Sequence, residues 1–151
     1  LVPQRAGYGK STGRGWKNLL TFTGRCPNNL KSALLDEGNS AAMRIHTFED
    51  LPVAPLGTGI QKHMLVGSGV VPNVMQFVRA CFQPNQIAPA HAHPDMTELF
   101  YIESGEGTLV VEGGSHPLWP GVSFIVSPGE KHEITSSPAS ELVVVYVSVH
   151  S

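Results

Sequence analysis

The stretch His91-Ala92-His93-Pro94-Asp95-Met96-Thr97-Glu98 carries the strongest signal in this chain. Its two histidines stand at i and i+2, and on an extended strand that spacing puts both imidazoles on one face. Four residues then separate His93 from Glu98, enough for the chain to turn and begin the next strand. Neighbouring strands lie about 4.8 Å apart, so a carboxylate there reaches an ion held by the two imidazoles. A third imidazole, His132, comes just after the turn signal Pro128-Gly129. A single strand histidine is usually structural or exposed, but four ligand-type residues in register point to a metal site. Three neutral imidazoles and one carboxylate suit borderline divalent ions such as Fe, Mn, Co, Ni, Cu or Zn, and suit Ca or Mg poorly.

Outward from this stretch the chain reads as strands. Short apolar runs separated by Gly, Pro and Asn predict strands at Met43–Thr47, Gln61–Val66, Val74–Gln83, Glu98–Glu103, Gly107–Glu112, Ser123–Val126 and Glu141–Val149. Gly113-Gly114 is placed to turn a two-residue hairpin, and Pro120-Gly121 marks another turn. No run keeps a 3.6-residue period over the length of a βαβ crossover helix, which removes the parallel α/β folds. An all-β antiparallel barrel or sandwich remains. Residues 1–40 show no sustained periodicity beyond a short helix expected near Asn28–Leu35. The expected organisation is therefore a basic N-terminal extension, 1–40, and a β-barrel domain, 41–151.

The spacing of these residues resembles that of the cupin family. Its first motif, G(X)5HXH(X)3–4E(X)6G, is met by His91, His93, Glu98 and Gly105, and its second, G(X)5PXG(X)2H(X)3N, by Gly121, Gly129 and His132. Fifteen residues lie between Gly105 and Gly121, as in small single-domain members. The likeness spans about residues 85–136 and implies a jelly-roll barrel with a metal held by His91, His93, Glu98 and His132. Asn85 stands where the first motif opens with Gly, Ser127 where the second has Pro, Ser136 where it ends in Asn, and Val122 where an acid is common. These departures touch turn geometry and leave the four ligands in place.

Composition agrees with one globular domain: 151 residues, 41% hydrophobic and 15% charged, with no apolar run of bilayer-spanning length. The net charge of −2 conceals an asymmetry. Arg5, Lys10, Arg14, Lys17, Arg25 and Lys31 precede the first acid, Asp36. An acid-free basic start resembles the residue of an organellar transit peptide, with a solvated basic arm as the equal alternative. The start at Leu1 fits a fragment or processed form. Dispersed basic residues without a recognised module argue against nucleic acid, and the chain is expected to be intracellular, cytoplasmic or organellar. Cys26 and Cys81 make no disulfide framework, and Cys81, inside Val78-Arg79-Ala80-Cys81-Phe82, reads as a small buried hydrophobe. The final run, Glu141 to Val149, is apolar on both faces, whereas a barrel strand facing water should alternate. Its outer face is expected to be covered by the N-terminal extension or by a second subunit, which makes a homodimer the expected assembly.

Four protein ligands leave positions open on an octahedral ion, as catalytic and ligand-binding centres require. The cupin resemblance implies dioxygenases, isomerases, lyases, decarboxylases and non-catalytic binders alike. Phe100 and Ile102, in phase with Glu98, are expected to line an apolar interior, joined by Ile87 and Pro89 in phase with His91. Arg79, the one charge in phase with Met75, Phe77 and Cys81, is the candidate contact for a substrate carboxylate. With little acid or base in register, the metal is expected to carry the chemistry. That favours an oxygenase with iron acting on a small organic acid or partly apolar substrate. The alternatives are a metal-dependent binding or sensing module and an isomerase or lyase using Mn, Ni or Zn. Thiol dioxygenases usually lack the glutamate, so Glu98 argues against that branch.

Overall fold

Every element in the computed structural model is a strand among the residues it describes, which are 45–47, 51, 53–55 and 58–151. They are β1 (Val53–Pro55), β2 (Gln61–Val66), β3 (Val74–Phe82), β4 (Ile87–His91), β5 (Met96–Gly105), β6 (Gly107–Val111), β7 (Gly114–Leu118), β8 (Ser123–Val126), β9 (His132–Ser136) and β10 (Leu142–His150). Two antiparallel sheets result, a six-stranded one in the order β1-β2-β3-β10-β5-β8 and a four-stranded one in the order β4-β9-β6-β7. The described residues thus form an all-β jelly roll, one of the antiparallel architectures that the strand pattern left open and the one that the resemblance implies.

Period-2 burial shows why these segments pair as they do. In β5 Glu98, Phe100 and Ile102 are buried while Leu99 and Tyr101 face out, and in β9 His132, Ile134 and Ser136 are the buried set. Val78, Ala80, Phe82, Phe100, Ile102, Leu142 and Val144 of the larger sheet meet Leu109, Leu118 and Ile134 of the smaller one in a single core. Phe100 stacks between Phe124 and Tyr146, with ring centroids 4.7 and 5.2 Å away. Each fully buried aliphatic side chain contributes about 1.5–3 kcal/mol, so this two-sheet core is the main source of stability.

The final strand lies at the centre of the six-stranded sheet, between β3 and β5. Leu142, Val144, Tyr146 and Ser148 point into the barrel. On the outer face Val143 is fully buried against Cys81, and Val145, Val147 and Val149 are half-buried. Cys81 is buried, as expected of a small hydrophobe.

Several expectations shift by a residue or a face. The hairpin between β6 and β7 turns on Glu112 and Gly113, not Gly113-Gly114. Val111 pairs with Gly114, and both intervening residues have positive φ, 46° and 81°. Strands β1, β7 and β9 were not foreseen, and β4 was expected only as the extended stretch before His91; Ile87–His91 and Gly114–Leu118 each contain a proline and few β-branched residues. Both proline-bearing strands are sheet edges, where a missing N–H costs no ladder bond. Ile45, His46 and Thr47 are not in a strand. The helix expected at Asn28–Leu35, and the extension containing it, lie outside the described residues.

A bulge overturns the expected phase of β4. Ala88 pairs with Ile134 and His91 with His132, so three steps on β4 match two on β9. Counting back by twos from His91 therefore holds for Pro89, which lines the cavity inside the barrel, and fails at Ile87, which points out with 45% of its surface exposed while Ala88 packs on the core.

Candidate metal centre

The four ligand-type residues converge from three strands and one loop. His91 ends β4 and His93 follows it. Glu98 lies on β5 and His132 opens β9. The nearest ligand atoms of His91, His93 and Glu98 all lie within 4.8 Å of one another. The Nε2 atoms of His132 and His93 stand 3.3 and 3.9 Å from Glu98 Oε2, and the rings of His91 and His132 are 4.4 Å apart between centroids.

Backbone carbonyls fix how two of the imidazoles present themselves. His91 Nδ1–H donates to Pro89 O at 2.7 Å, and His132 Nδ1–H donates to Glu130 O at 3.2 Å. Each bond selects the tautomer whose Nε2 carries a lone pair toward the centre, the arrangement found around metal-bound histidine. Glu98 is oriented in the same way. Ser148 Oγ donates to Glu98 Oε1 at 2.7 Å and accepts from Gln76 Nε2 at 3.1 Å, which leaves Oε2 toward the imidazoles.

The turns that differ from the family motif still serve the site. Gly129 N–H donates to His93 O at 2.8 Å, tying the turn before His132 to the loop carrying His93. Asn85 takes the left-handed conformation, φ 64°, where the motif has glycine. Ser136, in place of the final asparagine, donates to Gln83 O at 2.6 Å and accepts from Gln86 N at 3.0 Å, closing the turn that leads into β4.

Electrostatics separate the members of the cluster. Burial lowers the pKa of His91, which favours the neutral form that binds metal. Burial also pushes the Glu98 carboxyl up, but hydrogen bonds from His132 and Ser148 outweigh it and leave the carboxyl below its ordinary range. Burial pulls His132 down while its bond to Glu98 and its bond to the Glu130 carbonyl more than compensate, so its pKa is raised. A divalent cation would compete with protons for Glu98 and for the neutral imidazoles. Two oriented Nε2 lone pairs and an anionic, hydrogen-bonded carboxylate fit a borderline transition metal.

The centre opens on a cavity of about 450 Å3 inside the barrel. Ile60, Ala80, Phe82, Phe100 and Val144 make its wall mostly apolar. Phe100 lines it as the sequence implies. Arg79 does not. It lies on the outer face of β3, opposite the inward-facing Val78 and Ala80, and binds both oxygens of Glu103 at 2.7 and 3.0 Å. Its Nη1 also approaches Cys81 Sγ at 3.2 Å. The phase shared by Arg79 and Cys81 was real, but it is the phase that faces away from the metal cluster. His63, His116 and His150 lie outside the cluster.

Among the cavity residues that escaped the sequence reading are Lys62 on β2, Gln76 on β3 and Tyr146 on β10. Lys62 pairs with Ala80, which pairs with Val144, so all three share the inward row. Its signal was present as the one charge in Gln61–Val66, and only the register between strands tells its face. Ser148 was legible in principle as a small polar residue in the inward phase of a largely apolar strand.

Known proteins agree with this architecture. The family model described as Cupin domain matches residues 78–150, which include all four ligand-type residues. No curated protein matches the chain by sequence. Among solved structures, a predicted oxalate decarboxylase from Thermotoga maritima is 18% identical, with a TM-score of 0.68 over 72% of this chain and 100% of its own. An RmlC-like cupin from Shewanella frigidimarina is 22% identical, with a TM-score of 0.63 over 73% of this chain and 93% of its own. The polyketide cyclase RemF from Streptomyces resistomycificus is 18% identical, with a TM-score of 0.63 over 72% and 80% of the two chains. These likenesses establish the shared fold. The family match, which carries both motifs, places residues 78–150 in the cupin superfamily.

Proposed function

We propose that this cupin is a metal-dependent enzyme of oxygenase type acting on a small, partly apolar organic acid, with the ion held by His91, His93, Glu98 and His132. The observation that carries the reading is the convergence of these four side chains on one wall of a 450 Å3 cavity. A closed structural metal site would have no such space beside it. Iron is the preferred ion, since an imidazole-rich set with open positions suits Fe(II) and mostly apolar walls suit a reaction in which the protein supplies few groups.

When bound, the ion would supply Lewis-acid or dioxygen chemistry. The protein's own share is positional. Ser148 and Gln76 hold Glu98, two backbone carbonyls set the imidazole tautomers, and the apolar wall excludes water from the substrate.

One observation favours a second reading, a metal-assisted isomerase or lyase: Lys62 and Tyr146 bring an amine and a phenol to the cavity, more proton-transfer capacity than an oxygenase needs. Elemental analysis of protein purified without added metal, followed by oxygen-electrode assays on a panel of small acids, separates the two. Iron with substrate-dependent oxygen uptake supports the oxygenase. Zn, Ni or Mn with turnover and no uptake supports the second reading. Metal-dependent binding without turnover leaves a binding module.

A further inference from the structure

The cavity contains a cation that the metal cluster does not use. Lys62 lines the wall beside Ala80, Phe82 and Val144, and its ammonium lies over the Tyr146 ring at 5.2 Å from the centroid. It makes no ion pair or hydrogen bond among the described residues. Among the described residues the only carboxylate on the cavity wall is Glu98, and both of its oxygens are engaged, one by Ser148 and the other facing the imidazoles. Half-burying an ammonium against aliphatic and aromatic walls costs free energy unless an anion accompanies it. Burial accordingly lowers the pKa of Lys62, opposed in part by the field of Glu98.

We propose that Lys62 is the anchor for the carboxylate of the cavity's ligand, so that the site selects small organic anions with an apolar body and rejects neutral molecules of the same shape. This rests on the reading of the cavity as a metal-dependent small-molecule site, and it adds the charge of the molecule that enters. The geometry divides the ligand in three. Its carboxylate meets Lys62 on the β2–β3 side, and its apolar body lies along Phe82, Phe100 and Val144. A further oxygen can face the metal cluster. Gln76 lines the same cavity, and its amide N–H is committed to Ser148, so its carbonyl oxygen is left to accept from a ligand hydroxyl. The role expected of Arg79 thus falls to Lys62. Arg79 carries its own carboxylate, Glu103, on the far face of the sheet, and Lys62 faces inward with none.

The alternative is a lysine that merely lays its methylene stem along the wall. Calorimetric titration with benzoate and cinnamate, each paired with its uncharged amide, distinguishes the two. The full chain is titrated as purified and again after chelator treatment, in wild type, Lys62→Met and Lys62→Arg, with thermal melting to verify folding. The proposal predicts that a carboxylate binds better than its amide. Lys62→Met should weaken the carboxylate about 10- to 100-fold without changing the amide, and Lys62→Arg should restore most of the loss. Equal affinity in wild type and a folded Lys62→Met, or no carboxylate preference anywhere in the panel, overturns it. The chelator arm separates this failure from failure of the metal reading. Carboxylate binding abolished by chelation but indifferent to Lys62→Met places the anion on the ion and removes the anchor. Lys62-dependent binding in a chain that purifies without metal keeps the anchor and removes the metal.

Discussion

Replacing Ser148 with alanine removes one buried hydroxyl and touches no ligand atom. Ser148 is wholly buried, its Oγ–H reaches Glu98 Oε1 at 2.7 Å, and it accepts from Gln76 at 3.1 Å. A hydrogen bond to a charged group contributes about 1.5–3 kcal/mol, and one decade in an equilibrium constant is about 1.4 kcal/mol. Losing it frees Glu98 to rotate away from the imidazoles and removes one of the two bonds that hold its carboxyl below the ordinary range. Metal affinity should therefore fall about 10- to 100-fold, the range expected when a group that orients a ligand is removed. Competition against a chromogenic chelator at fixed pH measures this, with circular dichroism to verify the fold. If Ser148→Ala stays folded and binds metal within about twofold of wild type, the orienting network has no energetic role and the reasoning fails.

Four further outcomes follow from particular contacts. Glu103→Gln should destabilise the fold by about 2 kcal/mol, read as a lower denaturant midpoint, and leave small-acid affinity unchanged, because it weakens the Arg79 pair on the face away from the cavity. Gly105→Ala should cost about 3 kcal/mol or more, since φ is +81° and an added Cβ would collide with the Glu141 carbonyl oxygen. Metal affinity should fall on acidification. His132 binds an ion only when neutral, and its raised pKa means that proton competition sets in above the ordinary imidazole value of 6.5 as pH falls, whereas His91, lowered by burial, stays available further down. Phe77, Val147, Leu99 and Ile125 form an unbroken apolar row across four strands of the outer face, so sedimentation should show a dimer that Ile125→Asp shifts to monomer. A monomeric wild type at micromolar concentration would count against it.

The antiparallel β architecture and the four-residue cluster were legible in sequence because turn signals are local and because the spacing of the two motifs ties His132 to His91, His93 and Glu98. The i, i+2 spacing of the histidines already puts their imidazoles near each other, although His93 lies in the loop just past β4, and turn residues mark where strands end. What sequence concealed depends on pairing between distant strands. Arg79 was read as a lone charge in an apolar strand, and Lys62, likewise the one charge of β2, was passed over. Only the register of β2 with β3 and of β3 with β10 shows that Lys62 shares the inward row of Ala80 and Val144, while Arg79 faces Glu103 on the other side. The inward set of β4 was hidden by its bulge, which moves Ile87 out and Ala88 in without any glycine to announce it. Ser136 was read as a departure from the motif, yet it makes the bonds that close the turn before β4, because a hydroxyl can donate and accept in the same place.

The central claim is that His91, His93, Glu98 and His132 hold one transition-metal ion. The most direct test is elemental analysis of the chain purified without added metal, in wild type and in a folded His91→Ala/His132→Ala double variant. About one equivalent of a single transition metal per wild-type chain is predicted, with the double variant retaining less than about a tenth of it. Equal metal content in the two proteins, or none in wild type even after exposure to Fe(II), Mn, Ni and Zn, would contradict the account.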